Sequence, residues 1–210
     1  MTAQRLHQDA IEVLDPAVDY YERSAPAYFA ATADVDLSAL HERFARRLPD
    51  GGRVLDAGSG SGRDTRAFLA MSYRVEAFDA SPAMARLSRA ATGVPTRVVR
   101  FQDYDGVDRF DGIWACASLL HVPETELVNA VCRLHRALRP RGVLYMSFKL
   151  GTGERLASDG RRFTDMTEHG LRGLVAGVPG LEVDETWISG GEGSFQGRDQ
   201  WVNGIARRTT

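Results

Sequence analysis

Short apolar runs alternate with amphipathic stretches between residues 53 and 149, and this alternation restricts the possible folds more than any other feature of the sequence. Five apolar runs are predicted as β-strands, at 53–57, 73–78, 96–101, 110–117 and 142–149. Helices are predicted between them, at 63–70, after the Ser81-Pro82 pair and at 124–138. This rhythm predicts a parallel sheet with helices on both faces.

The segments on either side of this core follow other patterns. Three helical stretches are predicted before residue 50, two of them at 19–32 and 37–48. After residue 150 the sequence predicts a helix at 167–176, followed by strands at 181–189 and 200–206 with a glycine-rich loop between them at 190–197. Because no helix separates these two strands, we expect an antiparallel pair that closes the sheet.

The composition fits one globular domain of 210 residues, with 43% hydrophobic and 26% charged residues. The formal net charge is −2 and no long basic run occurs, so we do not expect a nucleic acid as substrate. No apolar run is long enough to span a bilayer and residues 1–14 are too polar for a secretory signal, which predicts a cytoplasmic protein without membrane contact. Cys116 and Cys132 lack metal-type spacing, so we expect reduced thiols and no metal site.

The sequence VLDAGSGSG at 54–62 predicts a strand that runs into glycines and then opens a helix. Glycines there let a ligand approach the backbone, and the helix N-terminus offers free N–H groups. Asp79 follows Gly58 by 21 residues, where a carboxylate can accept hydrogen bonds from both hydroxyls of a ribose. Asp56 precedes the glycines, and its charge suits a ligand with an ammonium group better than a pyrophosphate.

In these features the chain resembles the class I S-adenosylmethionine (SAM)-dependent methyltransferases, especially a small bacterial branch described as tellurite-resistance-like or generic methyltransferases. Besides 54–62 and Asp79, the resemblance rests on FDGIW at 110–114 and LRPRGVL at 138–144, and it extends over residues 16–207. It implies a Rossmann-like α/β fold, with a doubly wound, mostly parallel seven-stranded sheet and an antiparallel C-terminal hairpin strand. It also implies one domain over 1–210, made of an N-terminal helical cap or lid (1–50), a cofactor-binding core (51–150) and a C-terminal helix and strand pair (151–210).

The resemblance also assigns roles to individual residues. The glycine-rich motif would wrap the methionine moiety of SAM through Asp56, Ala57, Gly58, Gly60 and Gly62. Asp79 would bind the ribose, and the adenine would lie against Ala80, Met84, Phe101, Gln102 and Asp103. The region near the sulfonium would be lined by Ala115, Ser118 and Leu119, and a lid helix would cover the cofactor with Tyr20 and Tyr28.

Some residues have two readings that the sequence leaves open. His121 follows the fourth strand, at the carboxyl edge of a parallel sheet where ligands bind, and is a candidate catalytic base. It can equally cap a turn before Pro123. The aromatic rings of Tyr20, Tyr21 and Tyr28 are candidates for the face beside a positively charged sulfur, or for the buried side of an amphipathic helix.

The functional prediction is methyl transfer from SAM to a small-molecule acceptor by in-line displacement, with S-adenosylhomocysteine (SAH) as product. The predicted enzyme is a monomer or a homodimer. One alternative is an NAD-dependent oxidoreductase, because a glycine-rich turn followed by an acid about 20 residues later is also typical of that class. A second alternative is a non-catalytic module that binds SAM.

Overall fold

The computed structural model describes residues 15–190 and 199–209. Its strands are β1 (Arg53–Ala57), β2 (Arg74–Asp79), β3 (Thr96–Val98), β4 (Phe110–Ala115), β5 (Leu138–Lys149), β6 (Gly153–Leu156), β7 (Arg162–Asp165), β8 (Leu181–Gly190) and β9 (Gln200–Arg208). Its α-helices are α1 (Pro16–Thr32), α2 (Ser38–Ala45), α3 (Arg63–Ala70), α4 (Pro82–Thr92), α5 (Glu124–Ala137) and α6 (Glu168–Ala176). The glycine-rich loop predicted at 190–197 lies, after Gly190, outside the described residues.

The central feature of the fold is a seven-stranded sheet in the order β3-β2-β1-β4-β5-β9-β8. The pairs within β1 to β5 are parallel, and β9 is antiparallel to both β5 and β8. This arrangement confirms the predicted Rossmann-like fold with an antiparallel C-terminal hairpin. Among the described residues, no helix is both long and apolar enough to cross a membrane.

Successive residues of the central strands pack on opposite faces of the sheet. In β1, Val54 contributes to a cluster with residues of α2 and α3, whereas Leu55 joins a larger cluster with residues of α5 and α6. In β4, Trp114 is fully buried on the first face, where its ring stacks on Tyr145 with the centroids 3.9 Å apart. Both faces of the parallel strands are therefore covered, which explains their continuous apolar runs.

The sequence predicted most elements, and the differences have local causes. The strand predicted at 96–101 ends at Val98, and Phe101–Asp103 forms a 3-10 turn instead. The strand β5 begins at Leu138, before the Pro140-Arg141 pair, and its pairing with β4 is irregular between Phe110 and Gly112. The hairpin of β6 and β7 was not predicted, because β6 is mostly exposed and carries no apolar alternation.

The parallel sheet places its carboxyl ends at one edge. From β1 the chain crosses to β2 on one side, whereas the strand on the other side of β1 is β4. The connections that follow these two neighbouring strands therefore lead in opposite directions and leave a crevice between them, which is where open α/β sheets bind ligands.

The contact between α2 and β4 depends on a residue without a side chain. A Cβ atom at Gly112 would lie 2.7 Å from side-chain carbons of both Phe44 and Leu48. We expect Gly112→Ala to lower the free energy of unfolding by about 1–3 kcal/mol through overpacking. In Gly173→Ala, on the exposed side of α6 with no atom within 4 Å of the added Cβ, we expect no loss and a gain of up to about 1 kcal/mol. Urea unfolding of both variants measures the difference, and equal stability of the two would contradict this packing.

Candidate active site

A cavity of about 960 Å³, measured with its open mouth, lies at the carboxyl ends of β1, β2 and β4 beneath α1. Several residues predicted for the cofactor and for catalysis line it together. They are Tyr28, Gly58, Gly60, Asp79, Met84, Phe101, Gln102, Ser118 and His121. The sheet thus brings side chains from four separate connections to one crevice.

The loop after β1 is held close to the neighbouring strands. The backbone N–H groups of Gly58 and Ser59 both donate to the carbonyl of Phe78, at 2.9 Å each. Gly58 has φ +77°, and a Cβ there would lie 2.5 Å from the Cβ of Ser118. The Ser118 hydroxyl in turn donates to the carbonyl of Ala57 at 2.8 Å. Only glycine therefore lets the ends of β1 and β4 approach this closely.

Asp79 presents a largely buried carboxylate at the tip of β2. Its oxygens accept from the backbone N–H groups of Gly60, at 2.8 Å, and Ser81, at 2.9 Å. Burial nevertheless raises the pKa of Asp79 to about 6, because these bonds only partly replace the lost water. A carboxylate in this setting gains from further hydrogen-bond donors, such as two neighbouring hydroxyls of a ligand.

Asp56 lies beneath the glycine loop rather than at the cavity surface. It is 2% exposed and accepts from the Thr65 hydroxyl at 2.6 Å. Burial and the nearby Asp64 carboxylate raise the pKa of Asp56. Asp56, predicted to contact the cofactor, does not line the cavity, whereas Asp64, in the first turn of α3, does.

Asp64 lies at the start of α3, where the side chains of Arg63 and His41 both bind its carboxylate. Arg63 makes a bidentate pair with it, at 2.9 and 2.8 Å, and Nε2 of His41 lies 2.8 Å from the same carboxylate. Burial alone would raise the pKa of Asp64, but Arg63 and the hydrogen bond of His41 hold it well below its usual range. The Arg63 guanidinium is thereby fixed at the cavity wall.

Part of the cavity lining is apolar. Met84 from α4 and Phe101 from the 3-10 turn line it, together with Gln102, whose amide donates to Glu126 at 2.7 Å. Asp103 does not line the cavity, because the turn points its carboxylate outward to Arg100 at 2.7 Å. Of the five residues predicted for the adenine side, three line the cavity, and Ala80 and Asp103 do not.

Helix α1 closes the cavity from above and is fixed to α4 through Glu22. The Glu22 carboxylate accepts from the Ser81 hydroxyl at 2.5 Å and from the Ala83 backbone N–H at 2.7 Å. Tyr21 and Tyr28 line the cavity with their rings edge to face, 4.9 Å apart. Tyr20 does not line it, because its ring lies under the Arg161 guanidinium at 4.3 Å.

His121 sits in a 3-10 turn after β4 with both ring nitrogens engaged. Its Nδ1 lies 2.8 Å from the carbonyl oxygen of Arg162, and its Nε2 lies 2.9 Å from the hydroxyl of Tyr21. Burial lowers the pKa of His121 to about 4. The imidazole is therefore neutral at physiological pH, and its free lone pair is directed at Tyr21 rather than at an open part of the cavity.

The remaining predicted residues support the cavity from behind. Ala57, Ala115 and Leu119 are fully buried in the strand ends and the following turn. Gly62 packs against α4, where a Cβ would lie 2.8 Å from Thr92. Ala80 is half-buried beside Asp79 and does not line the cavity either.

Sequence reasoning missed part of the lining. Arg63 and Asp64 follow the glycines directly, and charged residues in the first turn of a helix that opens a ligand loop are a signal that could have found them. Cys116 and Ala117 also line the cavity, and their place at the end of β4 was a second usable signal.

Comparisons with known proteins agree with this arrangement. Residues 54–142 match the family model described as a methyltransferase domain. A ubiquinone biosynthesis O-methyltransferase from Xanthomonas axonopodis pv. citri (strain 306) is 31% identical over 111 residues, which cover 49% of this chain and 45% of that protein. The match thus spans about half the length of the relative.

Solved structures share the fold over most of the chain. A 1,6-didemethyltoxoflavin N1-methyltransferase from Burkholderia thailandensis, crystallised with 1,6-didemethyltoxoflavin and SAH, superposes with a TM-score of 0.77 at 24% identity, covering 93% of this chain and 88% of that one. A SAM-dependent methyltransferase from Methanosarcina mazei gives a TM-score of 0.71 at 21% identity, covering 82% and 98%. The tellurite-resistance-like branch is not tested by these matches and stays a prediction. Residues 54–142 thus match a methyltransferase domain, and the chain as a whole has the fold of these SAM-dependent methyltransferases.

Proposed function

We propose that this chain is a SAM-dependent methyltransferase that acts on a small-molecule acceptor. The observation that supports it most is the buried Asp79 carboxylate, which faces the same cavity as the glycine loop after β1. When bound, SAM would supply a methyl group on a sulfonium, and an in-line nucleophile would take this methyl group with SAH as the leaving group. The rest of the assignment concerns what the residues of this chain do.

The cavity fits the nucleoside part of the cofactor. Asp79 would accept from both ribose hydroxyls, which supply the donors that its buried carboxylate lacks. Met84 and Phe101 offer an apolar slot for the adenine, with the Gln102 amide at its edge. These are the three predicted residues of the adenine side that the cavity contains.

The other end of the cavity fits an amino acid moiety. Arg63, fixed by Asp64, would pair with the carboxylate of the methionine part, while the Asp64 carboxylate and the loop backbone face its ammonium group. The rings of Tyr21 and Tyr28 would lie beside the sulfonium, where an aromatic face contributes about 1–2 kcal/mol. This assignment moves the role predicted for Asp56 to its neighbours.

The acceptor would enter beside α1 and the β6–β7 hairpin. Tyr21, His121 and Val122 line that side of the cavity, and Arg161 of the hairpin turn contacts the Tyr21 hydroxyl. The helices before residue 50 would act as a lid that excludes water, as the domain prediction has it. The methyltransferase-domain match over 54–142 favours this function over an NAD-dependent oxidoreductase. The cytoplasmic location and the monomeric or homodimeric state stay predictions.

Replacement of the ribose-binding acid should affect cofactor binding directly. We expect Asp79→Asn to weaken SAH binding by about 10- to 100-fold, because a charged acceptor is lost from two hydrogen bonds. Isothermal titration calorimetry measures the change. Asp105→Asn, an exposed acid that pairs with Arg97 and does not line the cavity, is the matched control and should leave SAH affinity unchanged.

Three results separate the functional alternatives. Binding of SAH without any turnover in an acceptor screen would favour the non-catalytic module. Binding of NADH but not of SAH would favour the oxidoreductase. Equal SAH affinity of the wild type and Asp79→Asn would contradict the site.

The affinity for SAH should also depend on pH. Because the pKa of Asp79 is raised to about 6, the carboxyl is mostly protonated at pH 5 and loses an acceptor oxygen there. Binding favours the ionised form, so the affinity should rise by about tenfold between pH 5 and pH 7. Calorimetry across this range tests it. The rise should vanish in Asp79→Asn, whereas a rise that persists in this variant would assign the titration to another group such as Asp56.

A further inference from the structure

The two hydrogen-bond partners of His121 fix the tautomer of its neutral imidazole ring. The carbonyl oxygen of Arg162 can only accept a hydrogen bond, so Nδ1, 2.8 Å away, must carry the proton. In the neutral ring Nε2 is then an acceptor, and the Tyr21 hydroxyl, 2.9 Å away, must donate to it. The chain of donation therefore runs from Tyr21 through the imidazole to the backbone of β7.

The Tyr21 oxygen lies where an acceptor molecule can reach it. Tyr21 and His121 both line the cavity, and the Tyr21 ring packs against the cluster that contains Met84. The phenol oxygen accepts from the Arg161 guanidinium at 3.4 Å, a long hydrogen bond that a closer donor can replace. Arg161 is itself fixed by Asp159 at 2.7 Å and by the Tyr20 ring.

Building on the proposed function, we propose that Tyr21 and His121 form a proton relay for an acceptor that carries an O–H group, with the Tyr21 oxygen as the atom that receives the acceptor's proton. Tyr21 is then a catalytic residue, and His121 acts through it. This differs from the sequence prediction, in which His121 takes the proton directly, because Nε2 is already occupied by Tyr21.

The proposed step balances in atoms and charge. A lone pair of the acceptor oxygen forms the bond to the methyl carbon, and the carbon–sulfur bond breaks with its electron pair left on sulfur. The acceptor's O–H bond breaks as its proton moves to the Tyr21 oxygen, while the Tyr21 proton moves to Nε2 of His121. Tyr21 ends neutral and His121 ends as an imidazolium, which releases its proton to solvent when the site opens.

Burial of Tyr21 and His121 determines at which stage of the reaction the acceptor's proton is transferred. Burial keeps His121 a weak base and raises the pKa of Tyr21 well above 10, so neither group ionises a resting phenol, whose pKa is about 10. An oxygen that gains a methyl group becomes far more acidic, and the proton then leaves readily. Charged and titratable groups around the pair are Asp15, Tyr28, Asp79, Asp159 and Arg161.

The relay predicts that methylation depends on Tyr21 for one class of acceptor and not for another. An acceptor with an O–H group, such as a phenol or an enol, has a proton to lose on methylation and needs the relay. A thiolate has none, so its methylation should not need Tyr21. The same cavity can therefore be tested with one probe of each kind.

Nuclear magnetic resonance of the imidazole nitrogens tests the relay without any acceptor. We expect His121 in the Nδ1–H form with Nε2 accepting a hydrogen bond, and Tyr21→Phe should raise the pKa of His121 because the donor that stabilises the neutral ring is lost. Tyr20→Phe, at the neighbouring tyrosine outside the cavity, should leave that pKa unchanged. An Nε2–H form, or the same titration of His121 in wild type and Tyr21→Phe, would overturn the relay.

Turnover of two probes tests the role of the proton. With catechol, we expect Tyr21→Phe to lower kcat by about 100-fold while KM and SAH affinity stay nearly unchanged. His121→Phe should give a similar loss, and Tyr20→Phe none. With thiophenolate at pH 8, Tyr21→Phe should retain the wild-type rate.

Two outcomes would overturn the inference. One is an equal loss of kcat with catechol and with thiophenolate in Tyr21→Phe, which would mean that Tyr21 acts only in packing of the lid. The other is an unchanged kcat with catechol in that variant. Failure of the wild type to bind SAH would instead contradict the proposed function. The nuclear magnetic resonance experiment would still test the Tyr21–His121 hydrogen bond in that case.

Discussion

The divergence of the chain after β1 and β4 is the constraint on which the rest of the site depends. Each of these strands is buried on both faces, and their connections leave in opposite directions, so a crevice opens between their carboxyl ends. Gly58 and Ser118 approach each other there too closely for a Cβ on residue 58. The ligand loop, the turn before His121 and the tip of β2 all meet at this point as a result.

Charge is distributed unevenly around the crevice. Three buried acids lie near the glycine loop, and each is satisfied differently: Asp56 by a hydroxyl, Asp64 by Arg63 and His41, and Asp79 by backbone N–H groups. Only Asp79 retains both cavity access and a need for further donors. Tyr21 and His121, by contrast, are neutral groups whose burial suppresses ionisation. The same cavity thus combines charged groups suited to a polar cofactor with a neutral pair suited to proton transfer.

The sequence predicted the strands and helices of the core because each is bounded by residues with strong local preferences, as at Ser81-Pro82 before α4. It also found Asp79, whose spacing from the glycines follows from the length of one strand–helix–strand unit. The sequence could not predict that Asp56 is buried beneath the loop, because this depends on the direction in which a side chain at the end of a strand points. Nor could it tell Tyr20 from Tyr21, because one residue turns a helical side chain by about 100°, as 3.6 residues per turn require.

The proposed site holds SAM or SAH with the ribose on Asp79, and a crystal structure of the protein grown with SAH is the decisive measurement. We expect both ribose hydroxyls within hydrogen-bond distance of the Asp79 carboxylate and the methionine carboxylate against Arg63. SAH bound elsewhere, or bound here with its ribose away from Asp79, would contradict it.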